Sequence, residues 1–517
     1  MTTATRWLRA LVDAHGTRVA IEEPPPGPTG AAAGAIVTYA ELDARVASVA
    51  GGLRSLGVGR GDRVASFVPN GILPVEVLLA AARLGAVTVG VNSRYRVDDL
   101  RHLLERTRPR VLVSAEAFLD IDYPAIVAGA LDGLVPRPAV VWPGDVDELR
   151  RASPVVDDAA TDHDLLVAFT TSGTTGRPKL AAHDHATTIR HLDAASRALA
   201  VGPESAALLT VPFCGTFGFV TLLSVLAGGG RVVVPARFEP APAAALVEQH
   251  SVTHVNGSDD MLLPMLDAGS DLSSWRRGVY AEFAGRGVEA VAAAARVGAR
   301  ITGVYGSSET FALLAMQRAD DDVEARAQNG GRLVDDAMEA RAVDPATGMV
   351  LAAGEQGELQ LRGPSVLACY LVDDGTAPAP LTDDGWFPTG DLGVVDHDGG
   401  FVYVARLGDA LRLAGFLTDP AEIEQRLVQH PAVTGAQVVG TPSSRGGDAA
   451  VAFVTLVPDG ADGVDEAELL RHCREGLANY KVPARVIVVD EFPTVAGANG
   501  VKIRKTELRE RAATLEV

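Results

Sequence analysis

Between residues 35 and 320, short β-branched runs alternate with Ala/Leu/Arg stretches at helical spacing, a pattern that few architectures accept. GDRVASFV leads to VEVLLAAARLG and then AVTVGVN, and RPRVLVSA and GRVVVPA follow later. Alternation of this kind predicts βαβ units, with parallel sheets covered by helices. From about 330 to 407 the texture changes. MEARAVDPATGMVL, GELQLRG and GVVDHDGGFVYVAR are strand-like segments broken by turn residues, which predicts a small antiparallel subdomain. After Gly408, patterns such as PAEIEQRLVQH, VAFVTLV and EAELLRHCREGLA predict a separate α+β domain. A chain of 517 residues is too long for one ordinary core. The expected fold class is α/β plus α+β, with one domain over 1–407 and a second over 408–517.

Charge narrows the partners. A formal charge of −20 opposes a phosphate backbone or an anionic lipid surface, so neither nucleic acid nor a membrane surface is expected as a partner. Cys214, Cys369 and Cys473 are odd in number and far apart, against a disulfide framework or a zinc site and in favour of a reducing, cytoplasmic setting. The most apolar long stretch, residues 71–91, carries Glu76 and Arg83, which a spanning helix rarely tolerates. Only four lysines occur: Lys179, Lys481, Lys502 and Lys505. Arginine has replaced lysine elsewhere, so these four are candidates for places where a compact ammonium is needed.

The strongest local signal is TTSGTTGRPK at 170–179, following the apolar run LLVAF. Its glycines allow close backbone approach, its hydroxyls add donors, and Lys179 supplies charge, so Thr171, Ser172, Gly173, Thr174, Thr175, Gly176 and Lys179 form a candidate phosphate cradle. It is not a Walker A loop, because Pro178 stands where that motif requires glycine. Taken alone, the stretch also suits a flexible turn.

This loop resembles the phosphate loop of the adenylate-forming superfamily, and further motifs follow in that superfamily's order: YGSSET at 305–310, GELQLRG at 357–363, GWFPTGDLG at 385–393, ARLGDALRLAGFLTDPAEIE at 405–424 and NGVKIRKTELRE at 499–510. Over roughly residues 35–510 the chain is most similar to the acyl-CoA synthetases. The resemblance implies an enzyme that uses ATP and Mg²⁺ to turn a carboxylic acid into acyl-AMP and then passes the acyl group to CoA. It further implies that the 408–517 domain is mobile and that the site lies between the domains. Tyr305 would stack beside the adenine, Gly306 and Ser307 would belong to the nucleotide site, Ser308 would donate to the α-phosphate and Glu309 would hold the metal through a hard oxygen. Asp391 would accept from the ribose hydroxyls and Arg406 would reach the ribose and phosphate side. Lys502 would bridge carboxylate and α-phosphate, stabilising developing charge as a point cation. Gly408 matches the hinge, where glycine permits a φ/ψ change, and Gly415 matches the pantetheine channel. Read without the resemblance, Glu309 also suits a solvated carboxylate at a helix start, Asp391 a turn residue and Lys502 a surface lysine. His185 reads as structural, and Asp259 and Asp260 as helix-capping residues.

Substrate class rests on PFCGTFGF at 212–219. Gly215 stands where the family commonly has histidine or an aromatic residue, so a bulky, ring-bearing or branched apolar acid is expected, with Phe213, Phe217 and Phe219 as lining or, alternatively, as packed core. No aspartate occurs in that segment to meet an α-ammonium, against an amino-acid-activating adenylation domain. Leu180, Ala410, Ala414 and Val501 depart from the family pattern beside groups that contact phosphate or place Lys502. They keep open an enzyme that mainly performs thioester formation on a supplied acyl-AMP. Loading of a carrier protein, a luciferase-like reaction and a homodimer are left open too.

Overall fold

The computed structural model describes residues 2–25, 34–119, 121–171, 179–373, 375–413, 416–442, 448–457, 464–497 and 500–515. The chain divides into two compact units, one of residues 1–339 with 361–387 and one of 340–360 with 388–517. The architecture is mixed α/β, with a large N-terminal body of sheets and helices and a small C-terminal α+β body.

The larger unit carries two sheets. In the first, strands Arg300–Ser307, Arg277–Ala281, His254–Ser258, Ala206–Leu209, Arg231–Val233 and Val19–Glu23 are neighbours in that order and all parallel. Antiparallel strands extend it at both ends: Ala35–Thr38 beside Val19–Glu23, and Phe311–Met316 then Gly330–Leu333 beside Arg300–Ser307. In the second sheet, Leu165–Thr170, Val87–Gly90, Arg63–Phe67, Val111–Ser114 and Ala139–Val141 run parallel. Leu180–Asp184 folds back antiparallel on Leu165–Thr170 and then pairs with Cys369–Val372. Strands buried on both faces explain the continuous apolar runs such as Val111–Ser114, every residue of which is buried. Helix Thr216–Ala227 is buried over all but its last residue and is apolar on every side, as a helix enclosed within one body must be.

Beyond Gly330–Leu333, two elements of the 330–407 stretch behave differently from the rest. Cys369–Val372 and Gly375–Pro378 form a hairpin that joins the second sheet of the larger unit through Leu180–Asp184. In the remainder, Glu339–Val343, Gln356–Arg362, Phe387–Val395 and Phe401–Arg406 lie side by side in that order, the last two antiparallel as the turn residues predict.

The smaller unit also contains a three-stranded sheet, Val433–Pro442 antiparallel to Asp448–Leu456 and Arg485–Val488 parallel to the latter. Helices Pro420–Val428 and Glu466–Gly476 supply Ile423, Leu427, Leu469 and Cys473 to its core. Asp419 caps the first of these helices, accepting from Ala421 N at 2.9 Å. Among the described residues no helix is long and apolar enough to cross a membrane.

Candidate active site

In the larger unit, three pieces of sequence meet around one turn. The first is the loop after Leu165–Thr170. Thr171 N donates to the Lys179 carbonyl at 2.8 Å and Lys179 N donates to Thr171 Oγ1 at 3.3 Å, so the two ends of the loop are tied together. The residues between them, including Ser172, Gly173, Thr174, Thr175 and Gly176, lie outside the described residues. The second piece is YGSSET, the bend between antiparallel strands Arg300–Ser307 and Phe311–Met316. A Cβ on Gly306 would sit 2.3 Å from the Phe311 carbonyl oxygen, so the close approach of the two strands requires glycine there. Ser307 Oγ accepts from Glu309 N at 3.1 Å and shares a bond with Thr310 Oγ1 at 3.2 Å, which fixes the bend from inside. The third piece is the returning segment 367–370. Leu367 N donates to the Glu309 carbonyl at 2.7 Å, and Tyr370 OH donates to Glu309 Oε1 at 3.2 Å.

Lys179 Nζ lies 5.3 Å from the centre of the Tyr370 ring, so Lys179, Tyr370 and Glu309 form a row of cation, phenol and carboxylate. Burial and the neighbouring Glu309 charge raise the Tyr370 pKa, keeping its hydroxyl a donor. Ser308 Oγ reaches the Thr170 carbonyl at 3.4 Å, linking the bend to the strand that carries the loop. Tyr305 is 7% exposed. Ser308, Glu309, Thr171 and Lys179, found separately by sequence, are therefore brought together. No group of three or more His, Cys, Asp or Glu able to hold a metal occurs among the described residues. A single carboxylate nonetheless fits Mg²⁺, which usually takes one or two protein carboxylates together with water and substrate phosphates.

Sequence reasoning missed the support behind this turn. His183, on the strand that leaves the loop, donates Nε2–H to the Ser308 carbonyl at 2.8 Å, and His191 donates likewise to the Ala312 carbonyl at 2.8 Å. Phe311 and Leu313 adopt φ of +62° and +59°, a left-handed conformation that costs a bulky residue about 1–3 kcal/mol. Burial drives the pKa of His183 from the ordinary 6.5 down to about 3, partly opposed by its bond to Ser308, and that of His191 down to about 4. Both are neutral in the fold and take a proton when it unfolds. The stability they contribute is present above about 6.5 and is lost as pH falls through the folded values. In denaturant titrations between pH 7 and pH 4, the parent is therefore expected to lose more stability than His183→Gln. Equal losses would contradict a buried neutral imidazole.

Other sequence-derived residues separate into supports and core. His185 is structural, its Nδ1 accepting from Ala4 N at 3.0 Å. Asp259 is not the N-cap; Ser258 holds that position, and Asp259 is the first helical residue. Its buried carboxylate accepts from the amides of Phe283, Ala284 and Arg286, fixing the loop that leaves the neighbouring parallel strand. Phe213, Phe217 and Phe219 are 7%, 5% and 1% exposed, and Phe213 stacks on Phe219 at 5.7 Å. Phe213 and Phe219 pack beside a void of about 20 Å³ and act as core in this conformation. Gly215 is the N-cap of helix Thr216–Ala227. A cleft of about 1010 Å³ is lined by Arg190, Arg197, Arg277 and Asp335, and none of the site residues is among its described lining.

The smaller unit holds a second set. Asp391 and Arg406 are directly opposite on antiparallel strands, and Arg406 Nη1 approaches Asp391 Oδ1 at 3.0 Å. Asp391 is 3% exposed, and its N donates to Thr389 Oγ1 at 3.0 Å. Gly390 just before it has φ +69°, which allows the turn that presents the carboxylate. Gly408 is not in the left-handed region, and a Cβ there would meet nothing within 4 Å, so this conformation does not itself demand glycine. Its carbonyl accepts from Arg509, which also pairs with Asp409. The Lys502 backbone pairs with Val495 in the hairpin Thr494–Gly497/Gly500–Ile503. The Lys502 side chain and Gly415 lie outside the described residues. Lys481 pairs with Glu422 and Lys505 with Glu424.

Comparison with known proteins identifies the family. The model of the AMP-binding enzyme family matches residues 9–371, and that of the AMP-binding enzyme C-terminal domain matches 422–498. The chain is 31% identical to the putative acyl-CoA synthetase YngI of Bacillus subtilis, covering 92% of each. It is 33% identical to a feruloyl-CoA synthase of Amycolatopsis, covering 92% of this chain and 94% of that one. The ATP-bound structure of MatB from Rhodopseudomonas palustris superposes with a TM-score of 0.83 at 25% identity over 99% of each chain. The chain belongs to the AMP-binding enzyme family, in its acyl-CoA synthetase branch. It is an AMP-forming acid–thiol ligase.

Proposed function

We propose that this ligase activates a ring-bearing or branched apolar carboxylic acid with ATP to acyl-AMP and then transfers the acyl group to CoA. The observation that carries the reading is the convergence of Lys179, Tyr370, Glu309 and Ser308 on one turn beside a tied Ser/Thr/Gly loop. Carboxylate attack on the α-phosphorus brings two anions together and expels pyrophosphate, so the site must offer preorganised positive charge and donors. In this reading residues 1–407 bind acid and nucleotide. Residues 171–176 and Lys179 cradle phosphate, Ser308 donates to the α-phosphate, Tyr305 stacks beside the base, and Gly306 and Ser307 belong to the nucleotide site. Asp391 accepts from the ribose, Arg406 serves its phosphate side, and residues 408–517 contribute Lys502 to the first step and Gly415 to the CoA path. Glu309 would hold Mg²⁺, which when bound neutralises polyphosphate charge. Attack of the CoA thiol on the acyl carbonyl then releases AMP. The acidic charge and separated thiols support a cytoplasmic setting.

One departure from the family pattern has a plain packing role. Leu180 is 2% exposed and pairs with both Thr170 and Leu371, so it fills the second sheet rather than disturbing the loop. That supports catalysis of both half-reactions over thioester formation alone.

The test is mass spectrometry of the purified protein with ATP, CoA and a panel of acids, following acyl-AMP and acyl-CoA separately. Both products are expected from aromatic or bicyclic acids in preference to acetate; a preference for acetate would contradict the substrate class. Gly215→His is expected to lower kcat/KM for ring acids by about 10- to 200-fold, the range for filling an apolar pocket, while acetate loses less. Unchanged discrimination would remove Gly215 from the acyl site.

A further inference from the structure

The polar turn that carries Ser308 and Glu309 is held from behind by a buried imidazole for which packing alone gives no reason. His183 is fully buried, stacks on Phe311 at 3.8 Å between ring centres, and lies 6.2 Å from Phe169. With its Nε2–H given to the Ser308 carbonyl, Nδ1 is left as a buried lone pair with no hydrogen-bond partner among the described residues. A leucine would fill the same space without desolvating that nitrogen, so what the imidazole adds is the bond to Ser308. The bond has consequences for the next residue. The peptide is planar, so fixing the Ser308 carbonyl also fixes the Glu309 N–H, which is aimed at Ser307 Oγ at 3.1 Å.

His191 holds the other side of the bend. Its ring stacks on Phe311 at 4.8 Å, its Nε2–H goes to the Ala312 carbonyl, and its Nδ1 accepts from Ser365 Oγ at 3.1 Å. The two carbonyls so gripped bracket Phe311, whose positive φ persists only if its surroundings hold it. His191 has both ring nitrogens bonded within the fold. His183 has one, and that one goes to the residue bearing the donor hydroxyl.

We propose that His183 is a positioning residue for acyl-AMP formation: its Nε2–H to the Ser308 carbonyl, with its stacking on Phe311, sets the turn that presents the Ser308 hydroxyl and the Glu309 carboxylate. The proposal rests on the reading of Ser308 and Glu309 given above. It takes no part in bond making, so removing it should leave substrate capture largely intact and slow the step that depends on the geometry of the turn.

The experiment compares the parent with His183→Leu, which loses the N–H, and His183→Gln, whose terminal amide reaches to the place of Nε2. Acyl-AMP formation, thiolysis of synthetic acyl-AMP and amide hydrogen exchange over 307–313 are measured for each. His183→Leu is expected to lower kcat for acyl-AMP formation about tenfold or more with KM for the acid little changed, and to speed exchange over 307–313 by about tenfold while exchange elsewhere in the larger unit is kept. His183→Gln should restore both towards the parent. If the leucine variant does not fold, His183→Asn, whose amide stops short of Ser308, supplies the same contrast with glutamine. Parental behaviour in His183→Leu, or glutamine as impaired as leucine, would overturn the proposal. A parent that makes no acyl-AMP would contradict the function proposed above instead, and the exchange comparison would still decide the role of His183.

Discussion

Lys502→Ala is expected to slow acyl-AMP formation by roughly a hundred- to a thousand-fold, the scale for removing one preorganised charge from a transition state. Thiolysis of supplied acyl-AMP should fall far less, because the α-phosphorus is not attacked in that step. Three observations motivate the choice. Of four lysines, Lys481 and Lys505 are engaged with Glu422 and Glu424 in the smaller unit, and Lys179 closes the loop of the larger one. Lys502 sits on a short hairpin, and the helix that follows is tied through Arg509 to the Gly408 carbonyl. The complementary variant is a bulky residue at Gly415, which should spare acyl-AMP formation and block CoA. Rapid-quench measurement of each half-reaction separates the two, and equal loss of both steps in both variants would remove these assignments.

Asp391→Ala is expected to weaken ATP and acyl-AMP together by roughly 1–3 kcal/mol, because the ribose is common to both and its hydroxyls lose an acceptor. The residue is 3% exposed and lies beside Arg406, whose Nη1 also donates to the Thr389 carbonyl at 3.3 Å. Asp391→Asn keeps the shape and one acceptor oxygen, and should lose less than alanine. Calorimetric titration with AMP and a non-hydrolysable acyl-AMP analogue checks this. Parental affinity in Asp391→Ala would show that the ribose is held elsewhere.

Much of the architecture was legible because period is a local property. The alternation over 35–320 announces parallel strands, and the structure has them in both sheets of the larger unit. The turn residues DPATG and DHDGG announce hairpins, and Phe387–Val395 pairs with Phe401–Arg406 across the second of them. Pairing partners far apart in sequence were not legible. Nothing local to Cys369–Val372 says that it adds to Leu180–Asp184 rather than to the strands around it, yet that addition brings Tyr370 to Glu309.

The same limit applied to single residues. Ser308 and Glu309 were found because they stand in a motif, whereas His183 and His191 act through carbonyls more than a hundred positions away. The only trace of them in sequence is the spacing HDHATTIRH, which also fits three unrelated core histidines. Asp259 looked like a capping residue because Asp at a helix start usually is one. Its actual partners, the amides of 283–286, belong to the next strand–helix connection and become neighbours only when the parallel sheet forms.

The central claim is that the acid is activated as an acyl adenylate, and the isotope content of the released nucleotide tests it most directly. With the acid labelled by ¹⁸O in both carboxylate oxygens, attack on the α-phosphorus makes a P–¹⁸O bond, and thiolysis then breaks the C–O bond. Each turnover in the presence of ATP and CoA should therefore release pyrophosphate and one AMP carrying a single ¹⁸O on its phosphate. Formation of ADP with the label in inorganic phosphate, or of acyl-CoA with unlabelled AMP, would contradict the account.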